Sequence, residues 1–303
     1  MTTKPHTQQV QRDDFERVLP LLTTHLDPSL ERTTWQRLFD YHWQGSEDYC
    51  GYMLIGEERV LGFMGMIFSE RKFNGQSVPF CNITSLVVEP EYRSNTVFLL
   101  NPLRRLKDHT ITDLTPNTAV CRLLEELGFQ DLDQRVALLL PFRNLLSSRR
   151  LFITHLPAEM RSELHDDDAL ILEAHQPYSH CRFFLLRDGN AYCFLVYTLV
   201  TSLRRPHCHI HYVSNLELLG RWSGLVRREL ARQSATPYVL LDSRFARHLP
   251  VSARWILPFT WRKMYRSRNV KPQQIDNLYS ELILLNIRSV PTRAELWESI
   301  RGR

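Results

Sequence analysis

Hydrophobic positions along the first 140 residues follow two different periods. Near the start they recur every three or four residues, as on one face of a helix, whereas from residue 52 onward they alternate or form continuous runs, as in strands. In chain order the pattern predicts helices over 13–22, 30–42, 96–106 and 117–127, and strands over 52–55, 60–69, 78–88, 110–115 and 134–140. Gly128 is placed to end the helix over 117–127.

The second half repeats the same plan. Two apolar runs, 182–186 and 191–202, flank an Arg-Asp-Gly-Asn turn at 187–190, which is typical of a hairpin. A strand over 208–214, a helix over 216–232, a strand over 238–242 and a closing strand over 279–287 follow. The repetition predicts an α/β protein of two tandem domains, 1–145 and 146–303, each with a mixed (α+β) sheet.

Composition limits the class of protein. The 303 residues are 43% hydrophobic and 23% charged, which is enough apolar content for a proper core. The first fourteen residues are polar, and the longest apolar run, 191–200, is about half the length that crosses a bilayer. Six scattered cysteines without a C-x-x-C pair are typical of free thiols in a reducing compartment. We therefore expect a cytoplasmic protein without membrane insertion; the oligomeric state is open.

Two motifs in the first half resemble those of a known family. Ser85-Leu-Val-Val-Glu-Pro-Glu-Tyr-Arg93 is similar to the fourth strand and following loop of the GNAT superfamily of acyl-CoA-dependent N-acyltransferases. A second stretch, from Asn117 to the Leu-Leu-Glu-Glu-Leu-Gly-Phe ending at Phe129, resembles the helix of that family that starts at an Asn and ends in a similar sequence. The resemblance covers about residues 10–140 and implies a GNAT-like first domain. The repeated order of elements extends this architecture to a second, GNAT-like domain.

The resemblance also implies a reaction and a site. An acyl group would pass from acyl-CoA, either acetyl-CoA or a longer thioester, to an amine on an amino sugar or other small metabolite. A backbone N–H near Val87 or Val88 would polarise the thioester carbonyl, and Glu89 or Glu91 is placed to act as base. The helix start after strand four would hold the CoA pyrophosphate. The implied cofactor-binding residues are Val87, Val88, Arg93, Ser94, Asn95, Thr96 and Asn117. FemAB-like aminoacyl transferases, which also pair two GNAT-like domains, are a nearby variant.

The sequence departs from the family at the pyrophosphate loop. Ser94-Asn-Thr-Val-Phe98 stands where the family has glycines, and Leu124 stands where a Tyr often protonates the departing thiolate. If CoA binds here, the N–H groups of 93–97 should face an open cleft, and Phe98 should turn toward the core. The alternative is a non-catalytic tandem GNAT-like protein with a binding or regulatory role.

Two further groups of residues are chemically suggestive. His207, His209 and His211 alternate on a predicted strand and share one face, which fits a packed strand, a substrate cleft or, with a third ligand from elsewhere, zinc. No such ligand stands at a telling spacing, so no metal is expected. We take His209 and His211 as candidate substrate-binding residues.

Residues 221–271 form a basic segment, with twelve Lys or Arg against Glu229 and Asp242. It could hold an anionic acceptor, the CoA phosphates or nucleic acid, or be a solvated face. Nucleic acid is not expected, because no nucleic-acid-binding module accompanies the segment. The candidate substrate-binding residues here are Arg227, Arg228, Arg262 and Arg266.

Overall fold

The computed structural model describes residues 4–43, 45–57, 59–73, 75–140, 151–202, 205–257 and 262–287, apart from the side chains of residues 201, 202 and 205. These residues form two seven-stranded mixed sheets, as the repeated pattern predicts. They also divide into two compact units. Unit 1 contains residues 1–132, 263–275 and 279–285, and unit 2 contains the remainder.

The element order of the first 140 residues is strand, two helices, three strands, helix, strand, helix and two strands. The elements are β1 (His6–Val10), α1 (Phe15–His25), α2 (Arg32–Gln36), β2 (Gly51–Gly56), β3 (Arg59–Phe73), β4 (Gln76–Val88), α3 (Thr96–Leu100), β5 (Thr110–Asp113), α4 (Thr118–Glu126), β6 (Gln130–Asp133) and β7 (Val136–Leu139). Short 3-10 helices at Pro90–Asn95 and Asn101–Arg105 flank α3.

From residue 151 the same order occurs a second time. The elements are β8 (Phe152–Thr154), α5 (Pro157–Met160), α6 (Asp166–His175), β9 (Cys181–Asp188), β10 (Ala191–Ser202), β11 (Arg205–Val213), α7 (Leu216–Ser234), β12 (Val239–Asp242), α8 (Ser243–Ala246), β13 (Arg254–Ile256) and β14 (Lys263–Arg266), followed by α9 (Glu281–Leu284). This complete repetition fits a tandem pair of similar units.

The final strand of each run joins the sheet of the other run. The first sheet has the order β1-β2-β3-β4-β5-β14-β6, and the second has the order β8-β9-β10-β11-β12-β7-β13. Both exchanged strands are antiparallel to the neighbour on which they pack, β14 to β5 and β7 to β12. The compact units therefore differ from the continuous halves 1–145 and 146–303. The expected boundary at 145/146 itself lies outside the described residues and stays a prediction.

Two local predictions need correction. The expected closing strand over 279–287 is wrong: its centre forms α9, whose four residues are all buried. A segment buried on every side has no polar face, so periodicity cannot separate a strand from a buried helix. The helix expected over 30–42 is limited to α2, although Trp35, Leu38 and Phe39 face inward as predicted.

Helices cover both faces of the first sheet. α1 and α2 lie on one face, where the Phe39 ring stacks on Phe63 and contacts Phe15 at a tilt. α3 and α4 lie on the other and bury Leu99, Leu103, Val120 and Leu124 against the strands. The two central parallel strands of this sheet, β4 and β5, are covered in this way, so any group at their carboxyl ends lies beside a dry core.

Candidate active site

The two parallel strands at the centre of the first sheet separate at their carboxyl ends. β4 pairs with β5 from Phe80 to Ile83, opposite Thr110 to Asp113, and the pairing stops there. β4 then continues to Val88 with register partners only on β3. The β5-facing edge of 84–88 therefore lacks a strand partner among the described residues, so its backbone groups need another hydrogen-bond partner.

The N–H of Val88 is directed toward this open edge. Glu89 donates its N–H to Leu61 O at 2.9 Å, on the β3 side. Because successive N–H groups of an antiparallel strand point in opposite directions, the N–H of Val88 points away from β3. A bulge precedes it, since Ser85 has φ 53° and the register shifts opposite it. Of the two residues expected to supply this donor, the geometry favours Val88 over Val87.

The segment after β4 is a 3-10 helix rather than an open loop. The N–H of Tyr92 donates to Glu89 O at 2.9 Å, and Thr96 donates both its N–H and its hydroxyl, at 2.7 Å, to Arg93 O. The N–H of Thr96 is thus already satisfied within the chain. Arg93 and Ser94 are exposed and Asn95 is half-buried, so their side chains are accessible.

Phe98 does not turn toward the core, contrary to the condition set for CoA binding. Its side chain is 46% exposed, whereas Leu99 and Leu100 are buried. α3 has only five residues and packs through those two leucines, which leaves Val97 and Phe98 on its outer face. The sequence motif alone cannot show which residues of such a short helix face inward.

The two carboxylates proposed as bases lie at the surface end of β4. Glu89 is half-buried and ion-paired with Arg59, and Glu91 is exposed. Glu89 also borders a groove of about 490 Å³ beside α1. Arg17, Leu21 and Val60 contribute to the walls of that groove, so its lining combines charged and apolar groups.

Asn117 acts as the N-cap of α4, as its position predicts. Its side-chain oxygen accepts the N–H of Val120 at 3.0 Å. At the other end of the helix, Gly128 has φ 82°, which confirms the predicted glycine stop.

A buried polar cluster lies where β4 and β5 separate, and sequence reasoning missed it. Glu281, fully buried at the start of α9, accepts the Thr115 hydroxyl at 2.9 Å and donates its backbone N–H to Asn82 at 3.2 Å. Asp113 ends β5, and Lys263 begins β14; both are buried. A lone Glu281 in an apolar stretch indicates a buried carboxyl group, but its hydrogen-bond partners Thr115 and Asn82 are over 150 residues away in sequence.

Burial controls the protonation of this cluster. It raises the pKa of Glu281 to about 7, against the opposing effects of the Thr115 hydroxyl and the positive charge of Lys263. Burial also raises the pKa of Asp113 well above its ordinary value, and the nearby Glu281 raises it further. A carboxyl group that titrates near neutral pH is suited to accept a proton.

The histidines of the second unit lie in its interior. His209 Nε2 is 3.6 Å from Asp242 Oδ1, and His211 Nε2 is 2.9 Å from the Thr198 hydroxyl oxygen. Both side chains are fully buried, and burial, followed by the adjacent His209, lowers the pKa of His207 to about 4. The described residues contain no group of three side chains placed to hold a metal ion.

The four arginines chosen from the basic segment have different surroundings. Arg227 donates to Leu139 O and Pro237 O, and Arg228 is exposed beside Glu229. Arg262 is half-buried in unit 2. Arg266 lies in unit 1, where it donates to Leu127 O and Leu103 O. Arg227 and Arg266 therefore use N–H donors in hydrogen bonds to backbone carbonyls. The convergence of the four arginines on an acceptor stays a prediction.

Comparison with known proteins identifies the fold. No protein-family profile and no curated protein sequence matches the chain. Several solved structures match it in fold. A GCN5-related N-acetyltransferase from Anabaena variabilis has 14% identity and a TM-score of 0.58, over 87% of this chain and 72% of that one. A probable N-acyltransferase from Enterococcus faecalis has 11% identity and a TM-score of 0.60, over 88% and 72%.

A third structure is a glucosamine N-acetyltransferase region of a fungal multi-domain β-N-acetylglucosaminidase, with 11% identity and a TM-score of 0.56, over 88% of this chain and 38% of that one. These likenesses show that the chain has the GNAT fold across both units, which confirms the expected fold class. In the described part of the chain no helix has the length and apolar character needed to span a bilayer.

Proposed function

We propose that this chain is an acyl-CoA-dependent N-acyltransferase whose reaction takes place in unit 1, where β4 and β5 separate. One observation carries the proposal: an unpaired edge of β4, with the N–H of Val88 directed into it, begins beside a buried carboxyl cluster built around Glu281. The GNAT fold of the structural neighbours supports the same reaction class, although fold alone does not establish a reaction.

Val88 and Glu281 have different roles in the proposed reaction. The N–H of Val88 donates to the thioester carbonyl oxygen and stabilises the negative charge that develops there when the amine attacks. Glu281, ionised near neutral pH, accepts the proton that the amine loses, directly or through water. The tetrahedral intermediate then collapses, the amide bond remains, and CoA leaves as the thiolate. Glu89 and Glu91 are the alternative bases.

Side chains take over part of the CoA recognition. The N–H of Thr96 is bonded to Arg93 O and Phe98 stays on the outer face of α3, so the backbone cradle expected from the sequence is not met. The proposal therefore relies on the cationic side chain of Arg93 and the polar groups of Ser94 and Asn95 to contact the pyrophosphate. An amine of an amino sugar is the proposed acceptor, since one structural neighbour is named as a glucosamine N-acetyltransferase region. The proposal assigns no acceptor contact to His209 and His211, whose side chains are fully buried, or to Arg266, whose guanidinium donates to Leu127 O and Leu103 O.

The test measures acyl-CoA binding by calorimetry and CoA release in the presence of glucosamine and other primary amines, with acetyl-CoA and longer acyl-CoAs. We expect amine-dependent CoA release by the wild type. Glu281→Gln should lower kcat at least 100-fold, in the range of general base catalysis, with acyl-CoA affinity within twofold. The matched control is Glu126→Gln, an exposed carboxylate on α4 that should leave both values unchanged.

The pH profile separates the possible bases. In the wild type kcat should rise with pH through about 7, as Glu281 ionises, and this rise should vanish in Glu281→Gln. If Glu89→Gln or Glu91→Gln abolishes turnover while Glu281→Gln does not, the assignment of the base moves to that residue. Acyl-CoA binding without CoA release to any amine would instead support the non-catalytic alternative, and absence of acyl-CoA binding would refute the proposal.

A further inference from the structure

A second concavity of unit 1 lies at the opposite end of β5 from the proposed active site. Its volume is about 280 Å³, and it is lined by Arg104, Lys107, His109, Arg266, Ser267 and Arg268. The first three precede β5, and the others end β14, which is antiparallel to β5. The pocket therefore lies at the amino end of β5, whereas the unpaired edge of β4 lies beyond its carboxyl end.

The lining of this pocket is cationic and lacks compensating acids. Four of its six residues are Arg or Lys, and no carboxylate lines it. Within the described parts of the chain, none of these four cations forms an ion pair with Asp or Glu. Glu47 and Asp108 act electrostatically on His109, but neither borders the pocket. Like charges held together without counter-ions repel, and a bound anion removes that repulsion.

Arg266 forms a fixed part of the pocket wall. It donates to Leu127 O at 3.1 Å and to Leu103 O at 2.5 Å, and its guanidinium lies 5.1 Å from the centre of the Phe129 ring. These contacts hold its charge at the base of the pocket. Burial lowers the pKa of Arg266, and the neighbouring charges of Arg268 and Arg104 lower it further, as expected for uncompensated cations.

We propose that this pocket binds a small phosphate-bearing molecule through Arg104, Lys107 and Arg268, with Arg266 contributing fixed positive charge. Guanidinium groups bind phosphate oxygens in pairs, and a lysine ammonium adds a point charge. The volume of about 280 Å³ lies just below the usual range of small-molecule pockets, about 300–1,000 Å³, which suits a mono- or diphosphate group better than a large ligand. The site does not depend on the proposed acyl transfer.

The test uses pyrophosphate and inorganic phosphate as probes, titrated into the full chain by calorimetry at constant ionic strength. We expect saturable binding of pyrophosphate to the wild type and at least tenfold weaker binding to the double variant Arg104→Glu/Lys107→Glu. Both residues are exposed, so the variant should fold, which circular dichroism checks. Arg268→Glu serves as a second, independent variant and should also weaken binding tenfold.

Two further variants distinguish this pocket from the acyl-CoA cleft and from general surface charge. Arg122→Glu reverses an exposed charge on α4 of the same unit, outside both sites, and should leave pyrophosphate affinity within twofold; Arg93→Glu reverses the charge proposed to contact CoA and should leave intact the binding that the pocket variants lose. Loss of binding in Arg93→Glu with retention in the pocket variants would overturn the proposal, as would absence of saturable binding to the wild type. Tighter binding of a single-stranded oligonucleotide than of pyrophosphate, lost in the same pocket variants, would also overturn it, in favour of a nucleic-acid surface.

Discussion

Glu281 combines the structural cost of a buried carboxyl group with a proposed role as the base. Its carboxyl group is withdrawn completely from water and is compensated by the Thr115 hydroxyl and the charge of Lys263. Burying an ionised carboxylate is costly unless it is paired and hydrogen-bonded, so the protonated form is favoured until the pH approaches neutrality. The same environment that prepares Glu281 to accept a proton therefore makes the folded protein sensitive to pH.

The stability of Glu281→Gln should depend on pH less than that of the wild type. Burial raises the pKa of Glu281 from 4.5 to about 7, so the folded state retains a proton that the unfolded state loses. Wild-type unfolding free energy should fall as pH rises from 4.5 through 7, by about 3 kcal/mol from this group. Glutamine resembles the protonated form, so the variant should lack this part of the decrease.

Urea denaturation at several pH values measures the difference between the two proteins. Glu126→Gln, which changes an exposed carboxylate, should show the same decrease as the wild type. Identical pH dependence of Glu281→Gln and the wild type would show that Glu281 does not titrate in the folded protein as proposed.

At the scale of the element, α4 is defined by short-range contacts at both ends. Asn117 accepts the N–H of Val120, and Gly128 adopts a left-handed conformation just beyond the helix. Between them Val120, Cys121 and Leu124 face the sheet. Leu124 is fully buried in this row, so the position where the family often has a Tyr contributes here to the core.

Replacing Asn117 should test whether it has more than a capping role. Asn117→Ala removes the acceptor for the N–H of Val120, and we expect a loss of about 1 kcal/mol in unfolding free energy. Thr118→Ala, a neighbouring exposed position, should cost less than half as much. Acyl-CoA affinity of Asn117→Ala, measured by calorimetry, should stay within twofold if the residue serves only the helix; a tenfold loss would place Asn117 in the CoA site.

At the scale of the whole molecule, each run of elements completes the sheet of the other. β14 lies between β5 and β6, and β7 lies between β12 and β13. The first sheet also needs the C-terminal segment for its polar cluster, since Lys263 and Glu281 come from there. Neither continuous half of the chain contains a complete unit.

A fragment of residues 1–140 should therefore not fold by itself. It lacks β14, so β5 would have an unpaired edge, and it carries β7 without a partner. We expect loss of cooperative urea unfolding for this fragment. The full chain cut at a protease site introduced within 141–150 should retain cooperative unfolding, because both exchanged strands are still present. Cooperative unfolding of the isolated fragment would contradict the exchange.

Some features of the protein follow from the sequence itself because they depend on neighbours within a few residues. The hairpin at 187–190, the cap at Asn117 and the stop at Gly128 need only local backbone preferences, and the repeated order of strands and helices follows from hydrophobic period. The motif around Ser85–Arg93 likewise locates the end of β4, where the proposed chemistry lies.

The tertiary structure decided which segments meet. Strand exchange could not be predicted, because an apolar run fits either sheet and only the three-dimensional pairing selects one. The sequence pattern predicts a strand at the buried helix α9, because a helix without a polar face shows no helical period. Glu281 became a candidate base only when folding placed it beside Asn82 and Thr115, far away in sequence, and removed it from water. Its pKa is thus a property of burial, which no local pattern encodes.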